Sequence, residues 1–451
     1  MTEALQAPAA PSAPVIQSLA ATPDLLALHA ADPQRFFCLL NSGAHAERTG
    51  RYDILFAEPR CIGSAAVGTP EAEALLAALD ADPLEAAPGR SSELPFVGGC
   101  VFHLGYEAAA CFEPKLRLPR PADEALPDIT VWSVDQAILV DVIAGKAWCV
   151  APDQASAAAL AREAGRPRKA VRPYAKGLAS SSAESPQRYR DGVAAVRDYL
   201  FAGDAFQVNL SRGWRLRLAE AASGASLHAA MRLQNAAPFS ALLHQDGASL
   251  VSASPERLVR VVDGVIETRP IAGTRRRGRD AQEDVALCGE LSRNPKERAE
   301  HVMLIDLERN DLGRICRAGS VRVDELLAIE HYASVHHLVS NIRGALRADV
   351  GAAGILRAVF PGGTITGCPK VRVMEIIAEL EGIGRGSYTG SLGYVSRNGR
   401  MDSSILIRSL LARGDDVRFR AGAGIVADSD PDAELAETEA KARGLLSGLG
   451  A

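Results

Sequence analysis

Strand-length apolar runs closed by turn residues recur from Phe36 onward, and they commit much of this chain to sheet. Residues 36–40 run into a turn at Asn41-Ser42-Gly43, and residues 52–57 stop at Glu58-Pro59, the pattern of a hairpin or meander. Segment 94–106 carries close-set glycines that suit strands packed tightly against a neighbour. Segments 127–133 and 136–142 add two strands, so the N-terminal third is mostly sheet. Further strands are expected at 204–212, 249–262, 265–270, 333–343, 386–394, 401–411 and 418–426. Asp263-Gly264 makes a hairpin turn whose first limb carries Glu256. Helical periodicity appears at 71–79, 189–201, 297–307, 371–381 and 431–449.

Composition marks the joints. Residues 1–22, rich in Ala and Pro, are expected to form a flexible arm. Residues 23–150 form a first region, 151–187 a linker or excursion of Ala, Arg, Ser and Pro, and 188–449 a second region. A chain of 451 residues has ample material for a core. Its formal charge of -5, with acids and bases intermixed, argues against a nucleic-acid partner. The basic run Arg275-Arg-Arg-Gly-Arg279 reads as a loop beside an anionic ligand or a solvated turn. The eight cysteines show neither CxxC spacing nor clustering with histidine, so they are expected to be reduced thiols, not a zinc site or a disulfide frame. No apolar run approaches the ~20 residues that cross a bilayer, and the start lacks a leader pattern. A cytoplasmic protein with no membrane association is the expectation.

Chemistry concentrates in two acid pairs. On helix 297–307, Glu297 and Glu300 share a face while Val302, Leu304 and Ile305 turn toward a core. Near the C-terminus Glu434 and Glu437 repeat the spacing, with Lys441 one turn on. Carboxylates so placed repel unless they face water or a hard cation, and Mg²⁺ accepts such ligands together with waters and substrate oxygens. Gln207 and Asn209 line one face of strand 204–212. His336 and His337, adjacent on a strand, point to opposite faces, and one is expected inside. The glycine-rich turn from Phe360 to Lys370 offers free amides and a helix N-terminus but lacks the ending of a Walker loop. Together with Arg408 and the bare backbone of Gly422 and Gly424, these groups suit an anionic small molecule held partly by Mg²⁺.

Ser254-Pro-Glu256, Pro270-Ile-Ala-Gly-Thr274, Ala299-Glu-His301, Asp306 with Arg309-Asn-Asp311, Gly363-Thr364 with Pro369-Lys370, and Ala421-Gly-Ala-Gly-Ile-Val426 closely resemble the motifs of the chorismate-utilising enzymes. The resemblance runs from Phe36 onward and is densest from Tyr189 to Leu449. It implies an α/β (α+β) fold in which two large antiparallel sheets pack as a sandwich with helices around them. Residues 23–150 then match the N-terminal region of anthranilate synthase component I, and 188–449 the chorismate-binding catalytic domain.

By the same resemblance Glu297, Glu300, Glu434 and Glu437 surround Mg²⁺, and Glu256 protonates the departing 4-hydroxyl. Gly273, Thr274, Thr364, Arg408, Gly422, Ala423, Gly424 and Lys441 hold the substrate, with His337 and Tyr388 beside the ring. Water-adding members carry a lysine base where this chain has Gln207, so ammonia is the implied nucleophile. It would come from a separate glutamine amidotransferase, since no such segment is evident here. The motifs at 52–55, 203–210, 335–340, 360–367 and 401–405 resemble the aminodeoxychorismate synthase branch, with anthranilate synthase as the alternative. Against that branch, Ala272 stands where many of its members carry a nucleophilic lysine, and an alanine cannot attack. Leu39-Leu40-Asn41-Ser42 resembles the family's tryptophan pocket, but Asn41 replaces the usual glutamate, which argues against tryptophan feedback. A silent regulatory subunit would be expected to have lost an acid, and all are present.

Overall fold

A computed structural model describes residues 13–43, 49–81, 93–121, 126–332 and 335–450. Two antiparallel sheets form its centre. The first has twelve strands, ordered Val15–Ser18, Lys146–Ala151, Gln136–Asp141, Tyr52–Ala57, Cys38–Asn41, Phe239–Gln245, Ala248–Ser254, Ser409–Arg413, Asp416–Ile425, Gln207–Leu218 and Gly367–Cys368, with Leu178–Ala183 also on Gln207–Leu218. The second has ten, ordered Ile271–Arg276, Val335–Ala345, Val265–Thr268, Arg257–Val262, Arg400–Ile405, Ser391–Ser396, Gly99–Leu104, Ile129–Val134 and Arg60–Ala65, with Arg322–His331 also on Val335–Ala345.

The sheets pack face to face, and helices cover their outer faces. Cys38, Ile54, Phe56, Ala137 and Leu139 of the first sheet meet Val101, Trp132, Val134, Leu392 and Tyr394 of the second in one dry cluster. Their neighbours Leu39, Leu55, Ala57, Ile138 and Val140 point the other way, onto Leu28, Leu160, Leu227 and Leu445 of the helices. Alternate residues of one strand thus enter two different cores. This explains why these antiparallel strands read as continuous apolar runs and not as an alternation of apolar and polar residues. Truncating a side chain such as Phe56 to alanine would cost about 3–5 kcal/mol.

The structure corrects several boundaries. Val15–Ser18, placed in the flexible arm, is an edge strand paired with Lys146–Ala151; four residues are too few to show a period. Residues 1–12 of that arm lie outside the described residues. Segment 151–187 is no linker: Gln154–Ala164 is a helix whose Ala157, Leu160 and Ala164 are buried, and Leu178–Ala183 is a strand. Nor does it divide two separate units, because each sheet takes strands from before and after it.

Two long predicted strands are each two strands in different sheets. Segment 249–262 leaves the first sheet at Ser254 and enters the second at Arg257, with Glu256 at the crossing. Segment 401–411 returns from the second sheet at Ile405 to the first at Ser409, with Arg408 at the crossing in a left-handed conformation, φ 50°. The crossings are stitched together. Ile405 N donates to Glu256 O at 3.1 Å, Ala253 N to Arg408 O at 3.1 Å, and Ser254 Oγ to Ile405 O at 2.5 Å. Among the described residues no helix is long and apolar enough to cross a membrane, and all eight cysteines are free.

Candidate active site

The acid helices start alike. Pro295–Gly313 is capped by Asn294, which accepts from Lys296 N and Glu297 N, and Pro431–Gly448 by Asp430, which accepts from Asp432 N and Ala433 N. Each has proline in its first turn, where the missing N–H costs nothing. Glu297 and Glu434 therefore sit in the first turns, at the positive ends of the helix dipoles, and Glu300 and Glu437 one turn further on. Leu304 and Ile305 are buried as expected, whereas Val302 is 47% exposed.

Each of the four carboxylates is held by one oxygen. Arg275 Nη1 donates to Glu297 Oε1 at 2.9 Å, Gln207 Nε2 to Glu300 Oε1 at 2.7 Å, and Ser429 Oγ to Glu434 Oε1 at 2.6 Å. Lys441 Nζ pairs with Glu437 Oε1 at 2.7 Å. Burial and the nearby Glu297 and Glu437 push the Glu300 pKa up. Glu434 is raised by burial, helped by Glu437. These are hard oxygen donors of the type Mg²⁺ accepts, but no three of the described acids bring their oxygens within 4.8 Å of one another, so they would have to draw together around the ion.

Backbone completes the cleft. Gly273 bulges out of its strand at φ +75°, and a Cβ there would meet Glu297 Oε2 at 2.7 Å. On the first sheet, a Cβ on Gly424 would meet Gln207 Nε2 at 2.4 Å, and one on Gly422 would meet Tyr388 OH at 2.9 Å. Ala423, between them, points its methyl into the cluster behind the strand. Lys441 Nζ also donates to Gly422 O at 2.8 Å, so of its three donors one is left for a ligand.

The second part of the site lies at the crossings. Glu256 is buried, and desolvation lifts its pKa to about 8, with the Glu308 carboxylate adding to the rise and Arg408 and Thr364 opposing it. A neutral carboxylic acid at neutral pH can donate a proton. Arg408 is half-buried, desolvation lowers its pKa, and its guanidinium makes no ion pair among the described residues. A partly buried arginine with no ion-pair partner suits an anion. Gln207 Oε1 and Asn209 Oδ1 are buried without a hydrogen-bond partner, further sign of a polar ligand. His337 Nδ1 lies 2.9 Å from Thr274 Oγ1, and burial drops its pKa to about 3, so it works as a neutral ring. Ala272 is buried beside Gly273 and presents only a methyl group.

Sequence reasoning missed three things here. Glu308 falls on the buried stripe of its helix with His301, Leu304 and Leu312, a signal that was readable, and takes a hydrogen bond from Thr268 Oγ1 at 3.1 Å. His336 is buried as well as His337, because helices cover the strand's other face. The arginine run is partly solvated, with Arg276 and Arg279 exposed, and its guanidinium groups are paired with acids of this chain. Arg276 and Arg279 pair with Glu283, Arg277 with Asp284, and Arg275 with Glu290 and Glu297. Ser42, expected in a tryptophan pocket, is buried with its N–H on Asp53 Oδ1 at 2.8 Å. The cavity of about 140 Å³ nearby is lined instead by Leu40 and Asn41, with Phe239, Arg257 and Tyr394.

A sandwich of two antiparallel sheets with acids at their crossing and an acid pair on each of two helices defines a class, and comparison agrees. The profile of the chorismate binding enzyme family matches residues 36–447. The chain is 38% identical over 406 residues to the anthranilate synthase component I-like protein of Synechocystis sp. (89% of this chain, 83% of that one). It is equally 38% identical over 434 residues to aminodeoxychorismate synthase component 1 of Klebsiella aerogenes (92% and 94%). The crystal structure of anthranilate synthase component I from Streptococcus pneumoniae superposes with a TM-score of 0.77 at 28% identity, over 89% of this chain and 93% of that one. This chain belongs to the chorismate binding enzyme family. Its relatives carry both names at the same identity, so they do not choose between the two reactions.

Proposed function

We propose that the chain is an aminodeoxychorismate synthase component I, which replaces the 4-hydroxyl of chorismate by ammonia and retains the enolpyruvyl group. The observation that supports ammonia over water as the nucleophile is the Gln207 amide on Glu300 at 2.7 Å, and the motifs at 52–55, 203–210, 335–340, 360–367 and 401–405 favour retention of the enolpyruvyl group. An amide cannot act as the base that water needs as a nucleophile, and ammonia needs none. The C–N bond forms at ring C4 as the C4–O bond breaks. The departing oxygen takes the Glu256 proton and leaves as water, and solvent reprotonates Glu256. Arg408 and the Gly422–Gly424 backbone bind the substrate carboxylates, and His337 and Tyr388 stand beside the ring.

Mg²⁺ held by Glu297, Glu300, Glu434 and Glu437 would neutralise the ring carboxylate and draw off developing charge. The lysines at the cleft are all engaged: Lys441 with Glu437, Lys370 with Asp311, Lys296 with Asp428. None stands in for the nucleophile missing at Ala272, so the reaction proceeds by direct addition. Ammonia would be supplied by a separate glutamine amidotransferase subunit, in the cytoplasm, and the product would feed p-aminobenzoate and folate synthesis.

Ala272 favours a second reading, anthranilate synthase, in which pyruvate is lost. Incubation with chorismate, Mg²⁺ and ammonium at mildly alkaline pH, followed by mass analysis, decides. A product retaining the enolpyruvyl group supports the proposal, and fluorescent anthranilate with pyruvate overturns it.

A further inference from the structure

Outside the cleft, one cluster is built from softer ligands. Cys288 on helix Ala281–Arg293 faces the hairpin formed by Arg322–His331 and Val335–Ala345, where His331 and His336 are cross-strand partners. Cys288 Sγ lies 3.9 Å from His331 Nδ1, and His331 Nδ1 lies 2.8 Å from His336 Nδ1. Among the described residues this is the one set of three Cys, His, Asp or Glu side chains whose ligand atoms all fall within 4.8 Å of one another. The sequence hid it, because Cys288 is far along the chain from the histidine pair.

The hydrogen bonds of His336 leave one ring nitrogen able to face either a proton or a cation. His336 Nε2 lies 2.9 Å from Asp284 Oδ1, and Asp284 is itself fixed by both arms of Arg277 at 2.9 Å and by Gly278 N at 2.6 Å. A carboxylate accepts only, so Nε2 of His336 carries the proton and Nδ1 presents its lone pair. That lone pair faces a second ring nitrogen at 2.8 Å, which requires a proton or a metal ion between them. A carboxylate behind a ligating histidine is the usual support of a zinc-bound imidazole. Ligand atoms on one tetrahedral zinc stand roughly 3.3–3.7 Å apart, given Zn–N of about 2.0–2.1 Å and Zn–S of about 2.3 Å. The three ligand atoms, all within 4.8 Å of one another, would come into place by shifts of up to about an ångström.

We propose that Cys288, His331 and His336 form a site for a borderline-soft divalent ion of the zinc class, separate from the glutamate cluster. Binding displaces the Cys288 thiol proton to solvent, His331 turns its proton to Nε2, and water fills the fourth position. The ion clips the helix to the hairpin. The same helix carries Glu290, which bonds Arg275, and Leu291, which packs on Gly273; Arg275 in turn holds Glu297. His337, next in sequence, projects from the opposite face of the strand into the cleft. The clip therefore braces the wall of the active site without entering it.

The test is titration of the full, metal-stripped chain with Co²⁺ in excess Mg²⁺, read by absorption. The expected result is one equivalent bound with a thiolate-to-cobalt charge-transfer band, displaced by Zn²⁺. The band is lost in Cys288→Ser and kept in Cys61→Ser and in Glu300→Gln. His331→Gln, at an exposed position, weakens binding on the order of 10–100-fold and covers the case in which Cys288→Ser does not fold. Absence of the band, or its survival in Cys288→Ser, overturns the proposal.

Discussion

Two groups of acids lie within one cleft and are set up for opposite tasks. Glu256, at a sheet crossing, and Glu308, on the buried face of its helix, are both raised by desolvation, with Glu308 adding to the rise of Glu256 and Asp311 to that of Glu308. Glu297, Glu300, Glu434 and Glu437 stand in the first two turns of their helices, each with one oxygen on a donor. The residue type is the same, so under the proposed function environment would assign the role: apolar enclosure favours a protonated acid, and partial solvation favours carboxylates open to a cation.

The largest effect separates the two directly. Glu256→Gln should lower kcat by about 10²–10⁴-fold while calorimetric chorismate affinity stays near that of the parent. A parallel loss of affinity would mean that Glu256 only shapes the pocket. On the other side, Gln207→Ala or Ser429→Ala frees a cradle carboxylate from its donor. Each should weaken Mg²⁺ activation by about 10–100-fold with kcat restored at saturating metal. An unchanged Mg²⁺ dependence would remove these residues from the cradle's support.

The smallest effect concerns pH. Activity that needs the Glu256 proton is full below about 8 and falls as pH rises through that value. Glu308 is one cause of the high value, so Glu308→Gln should move the alkaline limb of kcat downward, by about one unit or roughly 1.4 kcal/mol. A limb that stays in place or moves up would disconnect the pair.

The same contrast governs what could be read in the sequence. The glutamate pairs were legible because i, i+3 spacing on a helix is a local pattern, and so were the strands of the double core, whose apolar runs are continuous. The crossings were not. Residues 249–262 look like one strand, and only Pro255 hints that the chain leaves one sheet for the other. Arg408 was named as a candidate, but its place at the return crossing was hidden in the same way, since no glycine marks its left-handed conformation. His336 and Cys288 were illegible because their partners are brought together only by tertiary packing.

The division of labour rests on a proton that infrared difference spectroscopy can see. Wild type minus Glu256→Gln at neutral pH should show the C=O stretch of a protonated carboxyl group, fading as pH is raised through about 8. A difference spectrum with only carboxylate bands at neutral pH would show that Glu256 is ionised, and the assignment of acid and cradle would fail.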